Sequence, residues 1–232
     1  MAKLRVDIWS DVVCPWCYIG KRRLEAALAR SPHAASVELV WRSFELDPGA
    51  PRELPDVDNV ARLARKYRIP VAQAQQMVDR VTGVAAGERL ELHLDRARGG
   101  NTFDAHRLIQ LARALGRQTE VKERLMRAYF TEGQPIGDRE ALRAIAISAG
   151  LAEAEVDDVL GGERYAAEVR ADESLARELG ITAVPFFVIG GKLGVSGAQP
   201  ADVLVAALAR GWSDHGEAAA LEGEACGPDG CA

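Results

Sequence analysis

The stretch SDVVCPWCYIG, residues 10–20, places two cysteines three residues apart, after an apolar run and before a helical pattern. Ahead of it, LRVDIW alternates apolar and charged residues, which predicts a β-strand over residues 4–9. Behind it, apolar residues recur on one face from about Cys14 to Arg30, which predicts a helix. The cysteine pair is therefore expected at a junction between a strand and a helix.

Further strands follow at both ends of the chain. VELVWRSF, residues 37–44, reads as a second strand, and a strand–helix–strand unit of this length predicts a parallel pair. Near the other end, PFFVI and KLGVS flank Gly190 and Gly191, a two-residue loop typical of a tight hairpin. A helix is predicted to start at Pro200 and to stop at Gly211.

The chain between these ends shows helical patterns almost throughout, separated by Gly and Pro. The order βαβ, helical segment, ββα is that of a thioredoxin-like α/β fold with a large all-helical insertion. The predicted organisation is a discontinuous thioredoxin-like domain, a helical insertion domain, and a C-terminal tail carrying a CxxxxC pair. These three parts are residues 1–48 with 181–212, residues 49–180, and residues 213–232.

Composition narrows the class of protein. With 232 residues, of which 48% are hydrophobic, the chain has enough apolar sequence to form a core without crosslinks. The net charge is −5 and basic residues alternate with acidic ones, so nucleic acid is not an expected partner. No signal peptide or membrane-spanning run is recognised, which predicts a cytoplasmic protein with no membrane partner.

The position of the first cysteine pair predicts redox chemistry. Unpaired N–H groups and the helix dipole stabilise a thiolate at a helix N-terminus, so Cys14 is the expected nucleophile, with a lowered pKa. Cys17 lies one turn further on the same side and is expected to resolve a mixed disulfide. Pro15 suits the first helical position, and Trp16 is expected to contact substrate.

Four stretches carry a resemblance to a known family: SDVVCPWCYIGKRRLE, NTFDAHRLIQLA, AYFTEG and GITAVPFFVIGGKLGVSGAQP. In this order they resemble the DsbA-like branch of the thioredoxin superfamily, in particular the group of FrnE and 2-hydroxychromene-2-carboxylate isomerase. With the helical insertion, the resemblance spans roughly residues 4–210. It implies a redox-active centre in a thiol-disulfide oxidoreductase or protein disulfide isomerase.

The resemblance also implies roles for residues outside the cysteine pair. Pro185 would be a cis-proline that faces the pair, and the backbone of Val184 would bind a peptide or glutathione. Asn101 and His106 match a stretch near the glutathione site of the isomerases, although a helix N-cap and a polar helix position explain them equally well. Glu45, at the end of the second strand, is expected to be a surface carboxylate; a buried proton acceptor for Cys17 is the alternative.

Two other functions compete with the redox prediction. The first is a glutathione-dependent isomerase or kappa-type glutathione transferase, whose members typically have serine at the nucleophile position; the presence of both Cys14 and Cys17 disfavours it. The second is a zinc-binding or holdase module, because CxxC is also a metal-ligand spacing. No metal and no tightly bound cofactor are expected, and glutathione or a thioredoxin-type reductant fits as electron partner of an enzyme acting on protein thiols.

The second cysteine pair, Cys226 and Cys231, encloses the turn sequence GPDG. A disulfide there would restrain little beyond its own loop, so the prediction is an auxiliary dithiol that exchanges electrons with the first pair. As a flexible chain, the segment from Trp212 to Cys226 has an r.m.s. span of roughly 20 Å. An incidentally oxidised or metal-binding tail is the alternative.

Overall fold

The sheet of this protein has four strands in the order β2–β1–β3–β4. The computed structural model describes residues 3–52 and 58–222, with side chains as far as residue 215. The strands are β1 (Leu4–Ser10), β2 (Val37–Ser43), β3 (Phe186–Ile189) and β4 (Leu193–Ser196). β1 pairs with β2 in parallel and with β3 in antiparallel fashion. The predicted α/β, thioredoxin-like architecture is confirmed.

Nine α-helices accompany the sheet within the described residues, and seven of them lie between β2 and β3. They are α1 (Pro15–Ala29), α2 (Asn59–Tyr67), α3 (Val71–Gly87), α4 (Phe103–Ala114), α5 (Gln118–Phe130), α6 (Arg139–Ser148), α7 (Glu153–Gly161), α8 (Ala166–Glu178) and α9 (Ala201–Glu222). The helical insertion is therefore present, and it includes α7, which the sequence patterns did not single out. One buried cluster joins sheet and insertion residues.

The two faces of β1 meet different helices. Leu4, Val6 and Ile8 are fully buried in the main core, which includes residues of α1 and α9. Trp9 points to the other face, where it forms a smaller core with Ala176 of α8 and its indole donates a hydrogen bond to the Asp172 carbonyl, 3.0 Å away. This alternation is what a strand covered on both faces requires.

The hairpin between β3 and β4 follows the sequence prediction. Gly190 and Gly191 have φ angles of 59° and 70°, the left-handed values that a tight two-residue turn needs. The peptide bond between Val184 and Pro185 is cis, as the resemblance implied.

The predicted end of the last helix at Gly211 is wrong, because α9 continues to Glu222. A Cβ atom at position 211 would lie 2.4 Å from Ile189 Cγ2, so glycine is needed here for close contact between the helix and β3. Residues 213–222 are therefore helical, and the flexible-chain estimate of how far the tail reaches does not apply to them. Cys226 and Cys231 lie outside the described residues.

Candidate active site

The candidate active site lies where β1 ends and α1 begins. Cys14 is the N-cap of α1 and Pro15 occupies the first turn, as the sequence predicted. The Cys14 carbonyl accepts hydrogen bonds from the backbone N–H groups of Cys17, at 3.0 Å, and Tyr18, at 3.3 Å. The first turn of the helix thus sets the spacing of the two cysteines.

The two sulfurs differ in their access to solvent. Both cysteines are free thiols; Cys14 is 5% exposed and borders a cavity, whereas Cys17 is fully buried and does not line it. The Cys14 thiol donates to the Val184 carbonyl at 3.6 Å, on the cis-proline loop. A sulfur that enters the cavity therefore meets Cys14 first.

The cavity beside Cys14 has a volume of about 1060 Å³. Trp16 and Val184 form one side of it, while Tyr67, Met77 and Arg80, from α2 and α3, form another. Trp16 is 38% exposed, which is unusual for so large an apolar side chain, so its surface is available to a bound molecule. This volume lies just above the usual range for small-ligand pockets, about 300–1000 Å³.

Gly20 allows the cis-proline loop to approach the first helix. A Cβ atom at position 20 would lie 2.9 Å from Pro185 Cγ and 3.4 Å from Phe187 Cζ. Glycine in a helix interior costs roughly 1 kcal/mol relative to alanine. That cost is offset here by contact between the helix that carries the cysteines and the loop that carries Val184 and Pro185.

The pKa values of the two thiols are shifted in opposite directions, and the pKa of Cys14 is raised where the sequence predicted a lowered one. The side chain of Cys17, burial and the charge of Asp11 raise the pKa of Cys14. Burial raises the pKa of Cys17 as well, but the Cys14 thiol, the charge of Lys122 and the Ser10 hydroxyl lower it below its usual value. Two such sulfurs titrate as a pair, so the first proton lost belongs to the pair and not to one sulfur alone.

Asp11 lies next to the thiols and is 1% exposed. Its carboxylate accepts hydrogen bonds from the backbone N–H groups of Val12, at 2.7 Å, and Leu46, at 2.8 Å, and lies 3.3 Å from His106 Nε2. Burial alone would raise the pKa of Asp11. His106 and the N–H of Leu46 lower it by more than burial raises it, so the carboxylate is ionised.

The structure separates His106 and Asn101 from direct contact with the cavity. His106 is fully buried and reaches the cavity only through Asp11. Asn101 Oδ1 accepts the backbone N–H of Phe103 at 2.9 Å, but the N-cap of α4 is Thr102, so Asn101 lies one residue before the cap position considered from the sequence. Both residues thus position neighbouring groups in this structure.

Glu45 is a buried carboxylate, which corrects the expectation of a surface position. Its side chain is fully buried, and it accepts hydrogen bonds from Arg170 Nη1 at 2.6 Å and Asn101 Nδ2 at 3.2 Å. Burial raises the pKa of Glu45. Arg170 comes from α8, more than a hundred residues away in sequence, so no local pattern could reveal this pairing.

Lys122 is the residue near the thiols that sequence reasoning missed. It belongs to α5, is 1% exposed, and donates to the Ser10 carbonyl at 3.1 Å. Burial lowers the pKa of Lys122 to about 8, although the charges of Cys17 and Asp11 raise it. The signal available in the sequence was only a lysine on an apolar helix face, which is weak.

Neither a metal cluster nor a membrane span appears in the part of the chain that the structure describes. Within residues 3–52 and 58–222, no three His, Cys, Asp or Glu side chains come together as a metal site. No helix in the same ranges has the length and apolar character needed to cross a bilayer.

Comparison with known proteins gives one family for nearly the whole chain. The sequence profile of the DSBA-like thioredoxin domain matches residues 5–209. A solved structure described as a probable DsbA oxidoreductase from Streptomyces coelicolor is 44% identical, with a TM-score of 0.85; the match covers 99% of this chain and 98% of that one.

Two more distant structures share the fold. A 2-hydroxychromene-2-carboxylate isomerase is 15% identical with a TM-score of 0.65, and the match covers 92% of this chain and 98% of the isomerase. The cytosolic disulfide reductase DsbM from Pseudomonas aeruginosa, solved with glutathione, is 19% identical with a TM-score of 0.60; the match covers 89% and 98% of the two chains.

Proposed function

Because the chain belongs to the DSBA-like thioredoxin domain family, we propose that it is a thiol-disulfide oxidoreductase or protein disulfide isomerase that acts through its CPWC pair. One observation carries this proposal: Cys14 borders the cavity while Cys17 is fully buried behind it. This is the arrangement needed for one sulfur that meets substrate and another that is reached only from Cys14.

The chemistry follows from that arrangement. The Cys14 thiolate attacks a substrate disulfide, forms a mixed disulfide, and releases one substrate sulfur as a thiolate that takes up a proton. The Cys17 thiolate then attacks Cys14 Sγ, which forms the Cys14–Cys17 bond and releases the second substrate sulfur. Two electrons pass from the enzyme to the substrate, and the reverse sequence oxidises a substrate dithiol.

Substrate binding is assigned to the cavity wall beside Cys14. Trp16 offers an exposed apolar surface and Pro15 lies next to it, while Val184 and the cis-proline Pro185 form the facing loop. A substrate backbone that pairs with Val184 would compete with Cys14 for its carbonyl, so binding would release the Cys14 thiol for attack. The cavity volume favours a polypeptide segment over a small disulfide alone.

The electron partner belongs to the same proposal. Glutathione or a thioredoxin-type reductant would restore the dithiol, and DsbM, a relative in fold described as a cytosolic disulfide reductase, was solved with glutathione. A cytoplasmic location is proposed with it. The auxiliary role of Cys226 and Cys231 stays a prediction, since both lie outside the described residues.

Two single variants test the proposal by trapping. In C17S, Cys14 should still attack a protein disulfide but no resolving sulfur follows, so a mixed disulfide through Cys14 should accumulate and be visible by mass spectrometry. In C14S, neither the mixed disulfide nor insulin reduction should occur. Insulin reduction that survives in C14S would overturn the proposal.

A double variant, C226S/C231S, serves as the control for thiols outside the CPWC pair. It should still form the mixed disulfide, and any change in turnover measures the electron exchange predicted for the tail. An unchanged turnover and redox equilibrium would remove the auxiliary role and leave the main proposal intact.

A glutathione-dependent isomerase or transferase is the alternative that shares this cavity. Its distinguishing outcome is turnover of an aromatic or chromene substrate with glutathione that persists in C17S, because no resolving thiol is needed for isomerisation. The retention of both cysteines argues against it.

A further inference from the structure

One arginine in the wall of the cavity is held in place by a neutral side chain. Arg62, in the first turn of α2, lines the cavity beside Cys14 and is half-buried. Its Nε and Nη2 atoms donate to Asn59 Oδ1 at 3.1 and 2.5 Å, and Asn59 Nδ2 donates in turn to the Leu94 carbonyl at 2.8 Å. Among the described side chains, no carboxylate pairs with Arg62. The guanidinium is therefore fixed by an amide.

Arg42, another half-buried arginine, shows the usual alternative. It donates to Asp7 at 2.7 Å and to Asp172 at 2.6 Å, so carboxylates offset its charge. An amide oxygen carries no net charge, so Asn59 orients the Arg62 guanidinium without offsetting it. The bonds to Asn59 use two of its N–H donors and leave others for an acceptor in the cavity. Arg62 is thus suited to bind a carboxylate that enters the cavity.

The lining of the cavity carries more positive than negative charge. Arg65, Lys66 and Arg80, from α2 and α3, also line it and are exposed. Two carboxylates line it among the described residues, and one of them, Asp11, already accepts two backbone N–H groups and lies 3.3 Å from His106. The whole chain has a net charge of −5, so the charge of this wall is opposite in sign to that of the molecule. A negatively charged ligand is favoured here.

An apolar rim surrounds the same cavity. Of the eight large apolar side chains that are exposed in the described residues, four line it. Exposed apolar side chains that lie together mark a binding surface, whereas single scattered ones do not. With a cavity volume of about 1060 Å³, this rim fits a polypeptide segment that carries both apolar and acidic side chains. The four rim residues are Trp16, Leu46, Tyr67 and Met77.

We propose that Arg62 binds an acidic side chain of the polypeptide substrate, so that the enzyme selects cysteines flanked by aspartate or glutamate. Arg65, Lys66 and Arg80 add a longer-range attraction for the same charge. Asn59 is a positioning residue, because it acts through Arg62. The inference rests on the proposed function for the reaction that the bound substrate undergoes, and it names the substrate class for that reaction.

Binding of unreactive peptides tests the inference without any redox step. Three peptides differ only in the residues on both sides of a central serine, which replaces the cysteine and cannot form a disulfide. These flanking residues are glutamate, glutamine or lysine. By fluorescence anisotropy, the reduced wild-type protein should bind the glutamate peptide about tenfold more tightly than the glutamine peptide, the effect of one charge-assisted hydrogen bond. The lysine peptide should bind most weakly.

Removal of single charges assigns the preference to Arg62. R62Q should lower the affinity for the glutamate peptide about tenfold and leave the affinity for the glutamine peptide unchanged. N59A should reduce the glutamate preference by less, because Arg62 keeps its charge and loses its orientation. R210Q is the matched control, since Arg210 is an exposed arginine of α9 that does not line the cavity. It should keep the full glutamate preference.

S-methylglutathione represents the other source of a carboxylate close to a thiol. If R62Q weakens binding of S-methylglutathione and leaves the glutamate preference intact, the site serves a small thiol and the inference is overturned. Equal affinities of the glutamate and glutamine peptides for the wild-type protein, or no binding of any peptide, would overturn it as well. Failure of the trapping experiment with C17S would instead overturn the proposed function and leave the binding results standing.

Discussion

Two consecutive residues of α5, Lys122 and Glu123, carry opposite charges in different surroundings. The Glu123 carboxylate accepts Lys21 Nζ at 2.5 Å and the Tyr18 hydroxyl at 2.7 Å, and it also pairs with Arg22. Lys122, one position earlier, is directed to the end of β1, where the Ser10 carbonyl is its hydrogen-bond acceptor. The first site is a network of opposite charges, whereas no ion pair with a carboxylate is found for Lys122 among the described side chains.

The difference separates a charge that is paired with opposite charges from one that is not. Paired buried charges hold two elements together and lose their purpose when either partner is removed. A buried charge with no opposite charge paired to it destabilises the fold. Removal of charge should therefore have opposite effects on stability at the two sites.

The largest expected effect is a gain in stability for K122M over wild type, on the order of 2–3 kcal/mol at pH 7. The pKa of Lys122 is lowered to about 8 in the folded protein, so between pH 8 and 10.5 the unfolded chain binds more protons. Wild-type stability consequently rises with pH in that window, and the advantage of K122M should shrink there. Urea unfolding at pH 7 and pH 10 measures both values.

Lys21 provides the contrast for this prediction. K21M should lower the free energy of unfolding, because it leaves Glu25 and Glu123 with one cation fewer. If K122M were the less stable variant at pH 7, the distinction between the two lysines would be lost.

A smaller effect is expected at the contact between α1 and the cis-proline loop. G20A should lower the free energy of unfolding by about 1–3 kcal/mol, because the added Cβ would lie 2.9 Å from Pro185 Cγ. G83A, in α3, is the matched change, since nothing lies within 4 Å of a Cβ there, and it should be neutral or stabilising by up to ~1 kcal/mol. Thermal unfolding of both variants compares the two helices; equal losses would contradict the close contact at Gly20.

The smallest effect concerns the network of opposite charges. E123Q should lower the free energy of unfolding by about 1 kcal/mol at pH 7, reduced by the partial exposure of Glu123. Burial alone would raise the pKa of Glu123. Arg22 and Lys21 lower it by more, so the net pKa lies below the usual value of 4.5. Its stabilising contribution is therefore complete above pH 4.5 and is lost as the pH falls through the lowered pKa.

The same pH range supplies the check on that prediction. Acid titration of stability, followed by circular dichroism, should show a smaller loss below pH 4.5 in E123Q than in wild type. Identical acid profiles would mean that the network contributes no net stability.

Local patterns were enough to predict the sheet and the cysteine pair. Alternation over LRVDIW and VELVWRSF gave β1 and β2, and Gly190–Gly191 gave the hairpin, because these signals depend on neighbours in sequence. The CxxC spacing fixed Cys14 at the start of α1 for the same reason. The cis-proline followed from family resemblance and not from local physics.

Other features depend on contacts between distant segments. Gly211 reads as a helix stop, yet it lies inside α9 because Ile189 approaches it. Glu45 reads as a surface carboxylate, yet Arg170 of α8 covers it. A glycine can end a helix or lie inside one, and a carboxylate can be exposed or buried. In both cases the neighbouring element decides which occurs.

The sequence alone determined that this chain folds as a thioredoxin-like sheet with a helical insertion and presents one thiol pair at a strand-to-helix junction, because periodicity and short spacings act over a few residues. The tertiary structure decided which sulfur borders the cavity and which is buried, and that Lys122 of α5 lies buried at the end of β1. Those properties depend on burial and on charges brought together from α1, α5 and β1, and the strength of an electrostatic interaction is set by distance and solvent exclusion.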